Sequence, residues 1–289
     1  MPLVSVILPN YNHAPYLKAR IDSILNQTFD DFELIILDDA STDQSHEIIQ
    51  GVAANPKVQA TVLNAENSGS TFKQWQKGIA MAKGKFIWIA ESDDLADSTF
   101  LGRHIDNFTK HPELGISFCA SSWIDEKGKI IHQPSHEKPF LVKGEKLLGN
   151  ELAKGTFIYN ASSCVFRKEL VEPEILAKAS TYKYCGDWSF WVHLAQKTYV
   201  SRIGDRLNFF RRHSANVSFA AEADGLQFTE GFEILDELFA IKHFSHFEKI
   251  KILLYWIRRV KRSTLAQKKE LLAKLPFPAK YLLPLYPIL

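Results

Sequence analysis

The chain has 289 residues, 46% of them hydrophobic and 24% charged, a composition typical of one large globular α/β domain with an extension. A formal net charge of only +2 gives no indication of general nucleic-acid binding. Three widely spaced cysteines exclude a disulfide framework and a paired-cysteine zinc site, and no apolar run reaches the roughly 18 residues of a membrane span.

Apolar strands and amphipathic helices alternate through the first third of the chain. The predicted strands are residues 3–8, 32–37, 58–63 and 85–90, and helices are predicted at 16–27, from about 48, and at 72–82. Because strand–helix–strand units with short connections form right-handed parallel arrangements, we predict an open, mostly parallel sheet. Ligands of such sheets collect at the carboxyl ends of the strands, so the loops at that edge form the predicted site.

Three acids, Glu91, Asp93 and Asp94, follow the fourth predicted strand directly. Buried carboxylates this close repel one another and resist ionisation, and a divalent cation relieves the repulsion. Mg²⁺ and Mn²⁺ take carboxylate oxygens together with substrate phosphates, so one interpretation is a metal–diphosphate site. The alternative is a solvated turn in which Asp94 caps the next helix. Polar loops after the other strands lie at the same edge and favour the metal site.

The loops after the first two strands offer further contacts. Tyr11 could stack on a flat base or simply pack in its turn. Asp38 and Asp39 could bond a uracil imide or a ribose, or they could cap the helix that follows. Residues 41–43, Ser-Thr-Asp, can already supply that cap, so the surplus of acids favours a ligand role for at least one of them.

The middle of the chain continues the α/β pattern. Strands are predicted at 115–122 and within 160–168, with a hairpin-like turn at 125–129, and the irregular segment 132–150 is of the kind that commonly carries function. A helix beginning near Asp187 runs through Leu194. As a first-turn acid Asp187 would satisfy free amides and the helix dipole, and the alternative is a chemical role.

The C-terminal region is helical at 228–239 and then strongly basic. From Lys249 to Lys280 only one acid, Glu270, interrupts the basic residues, and residues 277–289 are apolar and broken by prolines. Such a region could lie on an anionic membrane surface, or it could pack on the rest of the chain or on a second subunit. Packing is the favoured alternative. The low cysteine count and the lack of a basic, apolar leader before the first strand predict a cytoplasmic protein.

Together these segments resemble family 2 glycosyltransferases, which are inverting enzymes with the A-type nucleotide-sugar fold. The resemblance runs from Val4 to about Ser218. Its motifs in order are VSVILPNYN at 4–12, SILNQTF at 23–29, LDDASTD at 37–43, NSG at 67–69, AKG at 82–84 and IAESDD at 89–94. Each motif is loose by itself, but their order and spacing together are highly specific.

The resemblance implies an A-type glycosyltransferase fold, a Rossmann-like and mostly parallel α/β sheet flanked by helices. Residues 1–220 would form the nucleotide-sugar-binding catalytic domain and residues 221–289 a helical extension. The implied reaction moves a sugar from a nucleoside-diphosphate sugar, with UDP favoured, to a hydroxyl of a saccharide or lipid-linked acceptor, assisted by Mn²⁺ or Mg²⁺. Peripheral contact with the inner face of the membrane and a homo-oligomer stay open. A non-catalytic carbohydrate-binding or scaffold protein on this fold is the alternative; a sugar nucleotidyltransferase is disfavoured because residues 9–15 lack a glycine-rich basic loop.

The resemblance also implies roles for single residues. The nucleotide would contact Pro9, Tyr11, Asp39, Asp93 and Lys73; the metal would contact Asp93, Asp94 and His213; the phosphates would contact Arg211 or Arg212. Asp187 would be the general base, and Trp188 would face the acceptor. Three places depart from the family pattern: Glu91 stands where an Asp is common, Trp75-Gln76 stands where Arg-Asn is common, and Gly186 replaces the Glu of a Glu-Asp pair. The Arg of the second place usually serves the nucleotide, so Lys73 or Lys77 would substitute for it here. The first departure leaves open which carboxylates meet the metal.

Overall fold

A mixed sheet runs through the structure, a computed structural model in which residues 1–134, 138–213 and 225–276 are described. Its strands are β1 (Val4–Asn10), β2 (Phe32–Asp38), β3 (Val58–Leu63), β4 (Phe86–Ile89), β5 (Leu95–Ala96), β6 (Leu114–Ile124), β7 (Ile130–His132), β8 (Phe140–Lys143), β9 (Cys164–Arg167) and β10 (Tyr199–Arg211). The helices are α1 (Ala14–Leu25), α2 (Ser45–Val52), α3 (Thr71–Met81), α4 (Phe100–Lys110), α5 (Gly144–Asn150), α6 (Pro173–Ala179), α7 (Gly186–Ala195), α8 (Leu226–Ile241), α9 (His246–Arg262) and α10 (Lys268–Ala273).

The strand order is β3-β2-β1-β4-β9-β6-β10-β5, with β7 paired to β6 and β8 to β10. Strands β1 to β4 are parallel, and β9 runs antiparallel between β4 and β6. This mixed α/β sheet flanked by helices confirms the predicted fold class. The turn predicted at 125–129 is observed as well, since Asp125 Oδ1 accepts hydrogen bonds from the backbone N–H groups of Lys127 and Lys129 between β6 and β7.

Two apolar cores lie on opposite faces of the sheet, as the alternation of side chains along a strand requires. Val4, Val6 and Leu8 of β1 belong to the core that also contains α1 and α4, whereas Ile7 belongs to the core under α3 and α7. Every residue of β1 and β2 is buried. A strand covered on both faces reads as a continuous apolar run, which is why the sequence pattern identified these strands.

The C-terminal helices pack on the rest of the chain. Phe232 of α8 and Trp256 of α9 belong to the same core as Ile7, and the indole Nε1 of Trp256 donates to the Ala153 carbonyl at 2.9 Å. The favoured alternative for this region is therefore observed for α8 and α9. The boundary predicted between 220 and 221 and the tail 277–289 lie outside the described residues. In the part of the chain that the structure describes, no helix is long and apolar enough to cross a bilayer.

Candidate active site

The loops after β1, β2 and β4 meet at one edge because these strands are parallel neighbours. Asn10 donates from Nδ2 to Asp38 Oδ2 at 2.7 Å, and Asn12 Oδ1 accepts from the backbone N–H of Thr42 at 2.8 Å. Asn12 and Ala40 both have left-handed backbones, with φ of 54° and 61°. Non-glycine residues rarely adopt this conformation, and it is concentrated at functional sites. The first two predicted loops are thus cross-linked at the carboxyl edge.

Asp39 lies in the second of these loops and is 4% exposed. Its carboxylate accepts hydrogen bonds from Asn64 Nδ2 at 2.7 Å, Ser68 N at 2.9 Å, Ser68 Oγ at 2.7 Å and Gln74 Nε2 at 2.8 Å. These bonds fix the carboxylate in one orientation between the β2 loop and the start of α3. The contact with a nucleotide base that the sequence implies stays a prediction.

Asp93, His13 and His213 form a compact cluster at the same edge. Asp93 Oδ2 and His213 Nε2 are 3.0 Å apart, and one potential ligand atom from each of the three residues lies within 4.8 Å of the others. His13 Nδ1 lies 2.7 Å from Ser92 Oγ, which orients the ring. The sequence motifs predicted that Asp93 and His213 meet but gave His13 no role. We refer to these three residues as the His-Asp-His cluster.

Electrostatics prepare this cluster for a cation. Burial by itself raises the pKa of Asp93, but the hydrogen bond from His213 and the nearby imidazoles bring that pKa below its ordinary value. Burial lowers the pKa of His13 below 6.5. Asp93 is therefore ionised and His13 neutral near pH 7, and these are the protonation states in which carboxylate and imidazole bind metals.

Asp94 lies next to the cluster but is committed to other contacts. It is fully buried, its Oδ1 accepts from the backbone N–H of Arg211 at 2.9 Å, and its Oδ2 accepts from Asn160 Nδ2 at 2.7 Å. Burial and the neighbouring Asp93 raise the pKa of Asp94 to about 7. Asp94 is not one of the three residues whose ligand atoms cluster, and its contact with a metal stays a prediction.

Arg211, one of the two arginines predicted at the phosphates, is buried beside the acids, and its phosphate role stays a prediction. The residue is 3% exposed, and its guanidinium donates to the backbone carbonyls of Asp93 at 2.6 Å, Asp125 at 2.7 Å and Glu126 at 2.9 Å. These bonds use three of the five N–H donors of the guanidinium. Arg211 therefore ties β10 to the loop that carries Glu91, Asp93 and Asp94, which we call the acid loop, and holds Asp93 in position.

Glu91, the first acid of the loop, points toward α3. Its Oε1 accepts a hydrogen bond from Trp75 Nε1 at 2.9 Å. Burial and the charge of Asp93 raise the pKa of Glu91 to about 8. Glu91 is thus held by an indole, and it is not a member of the His-Asp-His cluster.

Beneath the acids lies a buried cation, Arg20 of α1. It is 0% exposed, and its guanidinium carbon is 4.9 Å from the centroid of the Trp88 ring. None of its guanidinium nitrogens has a hydrogen-bond partner among the described residues. Burial lowers the pKa of Arg20 to about 10, and the charges of Asp94, Asp93 and Glu91 oppose this. Arg20 therefore stays charged at pH 7 and offsets part of the negative charge of these acids.

Asp187 occupies the first turn of α7 and is half-buried. Burial raises its pKa to about 7. Phe190 lies one turn further along α7, and its ring is 5.7 Å from the ring of Trp75, the residue that holds Glu91. Asp187 and Phe190 are three positions apart and therefore share a face of α7. Trp75 contacts Phe190 on that face and also holds Glu91, so it connects this face of α7 with the acid loop. A carboxyl with a pKa near the working pH is suited to accept a proton from a hydroxyl.

The residues that flank Asp187 are set by packing. Trp188 is 3% exposed and stacks on Trp256 with ring centroids 5.6 Å apart, so its ring belongs to the core, and its contact with the acceptor stays a prediction. Gly186 is buried, and a Cβ added there would lie 2.4 Å from the Ala179 carbonyl oxygen and 2.5 Å from the Phe72 ring. The glycine that departs from the family pattern is therefore required by its close neighbours.

The other predicted contacts are spread around the edge. Tyr11 is 48% exposed, while Pro9 is buried within β1. Lys73 is exposed, and its Nζ donates to the Ser68 carbonyl at 3.0 Å, close to Asp39. Arg212 lies over the Trp123 ring at 5.1 Å. The nucleotide role of Lys73 and the phosphate role of Arg212 stay predictions.

Sequence reasoning missed His13, Arg20 and Asn160. His13 lies in the Asn-Tyr-Asn-His turn directly after β1, so its position at the carboxyl edge was the available signal. Arg20 sits on the apolar side of α1 between Leu17 and Ile21, where a charged residue is unexpected and points to a buried acid. For Asn160, no local pattern indicates that its amide reaches Asp94, 66 positions away.

Comparisons with known proteins agree on the family. The sequence model of the family described as "Glycosyl transferase family 2" matches residues 5–173. An uncharacterized glycosyltransferase of Nostoc sp. is 26% identical over 75% of this chain and 67% of its own length. The putative teichuronic acid biosynthesis glycosyltransferase TuaG of Bacillus subtilis is 32% identical over 46% of this chain and 54% of its own length.

Solved structures share the fold at low sequence identity. S. aureus TarS 1-349 in complex with UDP-GlcNAc superposes with a TM-score of 0.72 at 17% identity, over 98% of this chain and 84% of that one. The mannosyltransferase PcManGT from Pyrobaculum calidifontis in complex with GDP-Man and Mn²⁺ superposes with a TM-score of 0.61 at 17% identity, over 99% and 80%. Among the curated relatives with the strongest matches, the matched part spans 33% to 67% of the relative's own length.

Proposed function

Since the chain belongs to glycosyl transferase family 2, we propose that it transfers a sugar from a nucleoside-diphosphate sugar to a hydroxyl group of a saccharide or lipid-linked saccharide, with inversion at the anomeric carbon. The observation that carries the proposal is the His-Asp-His cluster at the carboxyl edge of β1 and β4. The nucleotide sugars bound by two neighbours in fold support the donor class, and the teichuronic acid relative supports a polysaccharide-type acceptor. UDP is the favoured nucleotide, on the family resemblance at Asp39.

The cluster fits a divalent cation by its donor chemistry. It combines one carboxylate with two imidazoles, of which the His13 ring is kept neutral by burial. Imidazole suits transition metals, whereas Mg²⁺ prefers oxygen ligands, so the mixed set favours Mn²⁺ over Mg²⁺. The chemistry that such a cation supplies when bound is neutralisation of the charge that grows on the leaving diphosphate. A neighbour in fold whose complex contains Mn²⁺ supports this assignment.

Asp187 is the proposed general base. Its carboxylate takes the proton of the acceptor hydroxyl while that oxygen forms a bond to the anomeric carbon, and the bond to the diphosphate breaks on the opposite face. The pKa of about 7 leaves a large share of the carboxyl ionised at neutral pH while keeping it basic enough to accept the proton. Its half-buried position on the rigid first turn of α7 limits competition from water.

The remaining residues of the edge hold the donor and the acids. Asp39 is the proposed partner of the nucleotide base, with Tyr11 exposed beside it to stack on the ring. Arg211 and Asn160 act indirectly, because they bond the backbone of Asp93 and the carboxyl of Asp94. The cytoplasmic location and a homo-oligomeric state stay predictions of the sequence.

Release of UDP from a panel of UDP-sugars tests the proposal, measured on the full chain with Mn²⁺, with Mg²⁺ and with EDTA. We expect slow release even without an acceptor, stimulated by Mn²⁺ more than by Mg²⁺. The His213→Ala variant is expected to lose the stimulation, and His132→Ala, exposed on β7, is the matched control. A chain that binds UDP but releases none from any donor would instead be a non-catalytic binding protein.

A further inference from the structure

A basic cavity of about 640 Å³ lies between α8 and α9, apart from the His-Asp-His cluster. Its walls include Lys251, Arg258, Arg259 and Arg262 of α9. These residues recur at helical spacing on one stripe of the helix, and among the residues that the structure describes no carboxylate belongs to the lining. Within residues 1–134, 138–213 and 225–276, none of the four cations forms an ion pair with an acid.

The four cations are exposed to solvent, and a bound anion would relieve the repulsion among them. Like charges three or four residues apart on a helix destabilise it, and Arg258 and Arg262 are such a pair. The helix dipole favours the cations of the last turn. The dipole does not stabilise the charge of Lys251, which lies more than two turns before the last turn of α9. A concave site with four cations and no carboxylate is instead complementary to a group with several negative oxygens, and guanidinium groups match phosphate in particular.

The cavity adjoins the segment that presents Asp187. Its wall includes Gln227, whose carbonyl accepts a hydrogen bond from Cys185 Sγ at 3.6 Å, two residues before Asp187. On the inner side Arg259 lies 5.0 Å from the centroid of the Trp256 ring, which stacks on Trp188. A ligand held in this cavity therefore rests against the same loop and helix that carry the proposed base.

Aromatic side chains extend the cationic stripe toward the N-terminus of α9. Phe247 is 65% exposed and lies under the Lys251 ammonium at 4.3 Å, and Tyr255 is 38% exposed. Exposed aromatic rings beside lysine and arginine are characteristic of helices that meet the headgroup region of a membrane.

We propose that this cavity binds the phosphate headgroup of a lipid-linked saccharide acceptor and thereby places the acceptor hydroxyl near Asp187. The proposal rests on the function proposed above, because it names the chemical class of the acceptor. The phosphates would lie among the α9 cations, and Phe247 would contact the lipid at the membrane surface.

The test uses the full chain in EDTA, so that the His-Asp-His cluster holds no metal. Inorganic pyrophosphate binding is measured by calorimetry, and vesicle binding is measured by co-sedimentation with phosphatidylcholine, with and without phosphatidic acid. In the triple variant Lys251→Gln, Arg258→Gln and Arg262→Gln we expect both affinities to fall about tenfold or more, as loss of charge-assisted hydrogen bonds implies. The matched control replaces three exposed lysines elsewhere by Gln: Lys85, Lys110 and Lys146.

The outcomes separate the parts of the proposal. Phe247→Ser is expected to weaken vesicle binding and leave pyrophosphate binding unchanged. Equal losses in the triple variant and its control would mean unspecific charge attraction and would overturn the proposal, as would a triple variant that binds both probes like the wild type. Pyrophosphate binding without any vesicle binding would overturn the lipid assignment in favour of a soluble anion. Release of UDP from the donor with Mn²⁺, measured separately and unchanged in every variant, shows that a negative result here does not come from failure of the proposed function.

Discussion

Replacing Asp187 by Asn should lower turnover and raise stability, and the two effects have one cause. Burial raises the pKa of the Asp187 carboxyl from 3.8 to about 7. The folded chain therefore holds a proton on this group at pH values where the unfolded chain has released it. Asn keeps the size of the side chain but can neither ionise nor accept the proton of a hydroxyl.

The stability effect follows from linkage. Between about pH 4 and pH 7 the folded state binds more protons than the unfolded state, so stability falls as pH rises through that window. A pKa that rises from 3.8 to about 7 corresponds to at most about 4 kcal/mol at pH 8. We expect Asp187→Asn to be more stable than the wild type at pH 8, with the difference shrinking toward zero at pH 4. Urea unfolding at a series of pH values measures this.

The kinetic effect has the opposite sign. Loss of a general base lowers turnover by roughly 10²-fold or more. With a pKa of about 7 the ionised share of Asp187 rises from about a tenth at pH 6 to about nine tenths at pH 8, so wild-type turnover should rise nearly tenfold across that interval. Asp94 also has a pKa of about 7. The pH dependence of turnover that remains in the Asp187→Asn variant measures the contribution of Asp94. Wild-type turnover in the variant, or a stability gain that persists at pH 4, would refute the reasoning.

Three further substitutions test the site and its packing. His13→Ala should weaken Mn²⁺-dependent UDP binding about 10- to 100-fold in calorimetry with little change in melting temperature, as expected for a lost metal contact. The control is His132→Ala, at an exposed position of β7. Equal UDP affinities of the two variants would show that His13 does not bind the metal. Asp94→Ala should lower the free energy of unfolding by about 2–4 kcal/mol, because the buried Asn160 amide and the backbone N–H of Arg211 lose their hydrogen-bond acceptor. An unchanged midpoint of urea unfolding would contradict this. Gly186→Ala should cost about 1–3 kcal/mol by overpacking against a carbonyl and a phenyl ring, whereas Gly102→Ala in α4, where no atom lies within 4 Å of the added Cβ, should melt no lower than the wild type.

The sequence alone determined the architecture and the edge at which the site lies. Strands β1 and β2 are covered on both faces, so they appear as continuous apolar runs. Short helical connections between them leave a parallel order as the expected result. Strands β1, β2 and β4 are parallel neighbours, so the loops that follow them reach the same edge. The order of strands and loops along the chain is therefore enough to place Asp39 and Asp93 at that edge.

The tertiary structure alone decided which side chain does what at that edge. Asp94 and Trp188 looked like ligand and acceptor contacts, yet one is held by Asn160 and the backbone of Arg211, and the other is stacked beneath Trp256. The Arg211 contact joins residues 117 positions apart. Local periodicity records which face of an element is apolar. It does not record which distant donor reaches a carboxylate, because that contact depends on how separate helices and strands pack. The donors that surround a buried carboxylate in turn decide how that carboxylate can act.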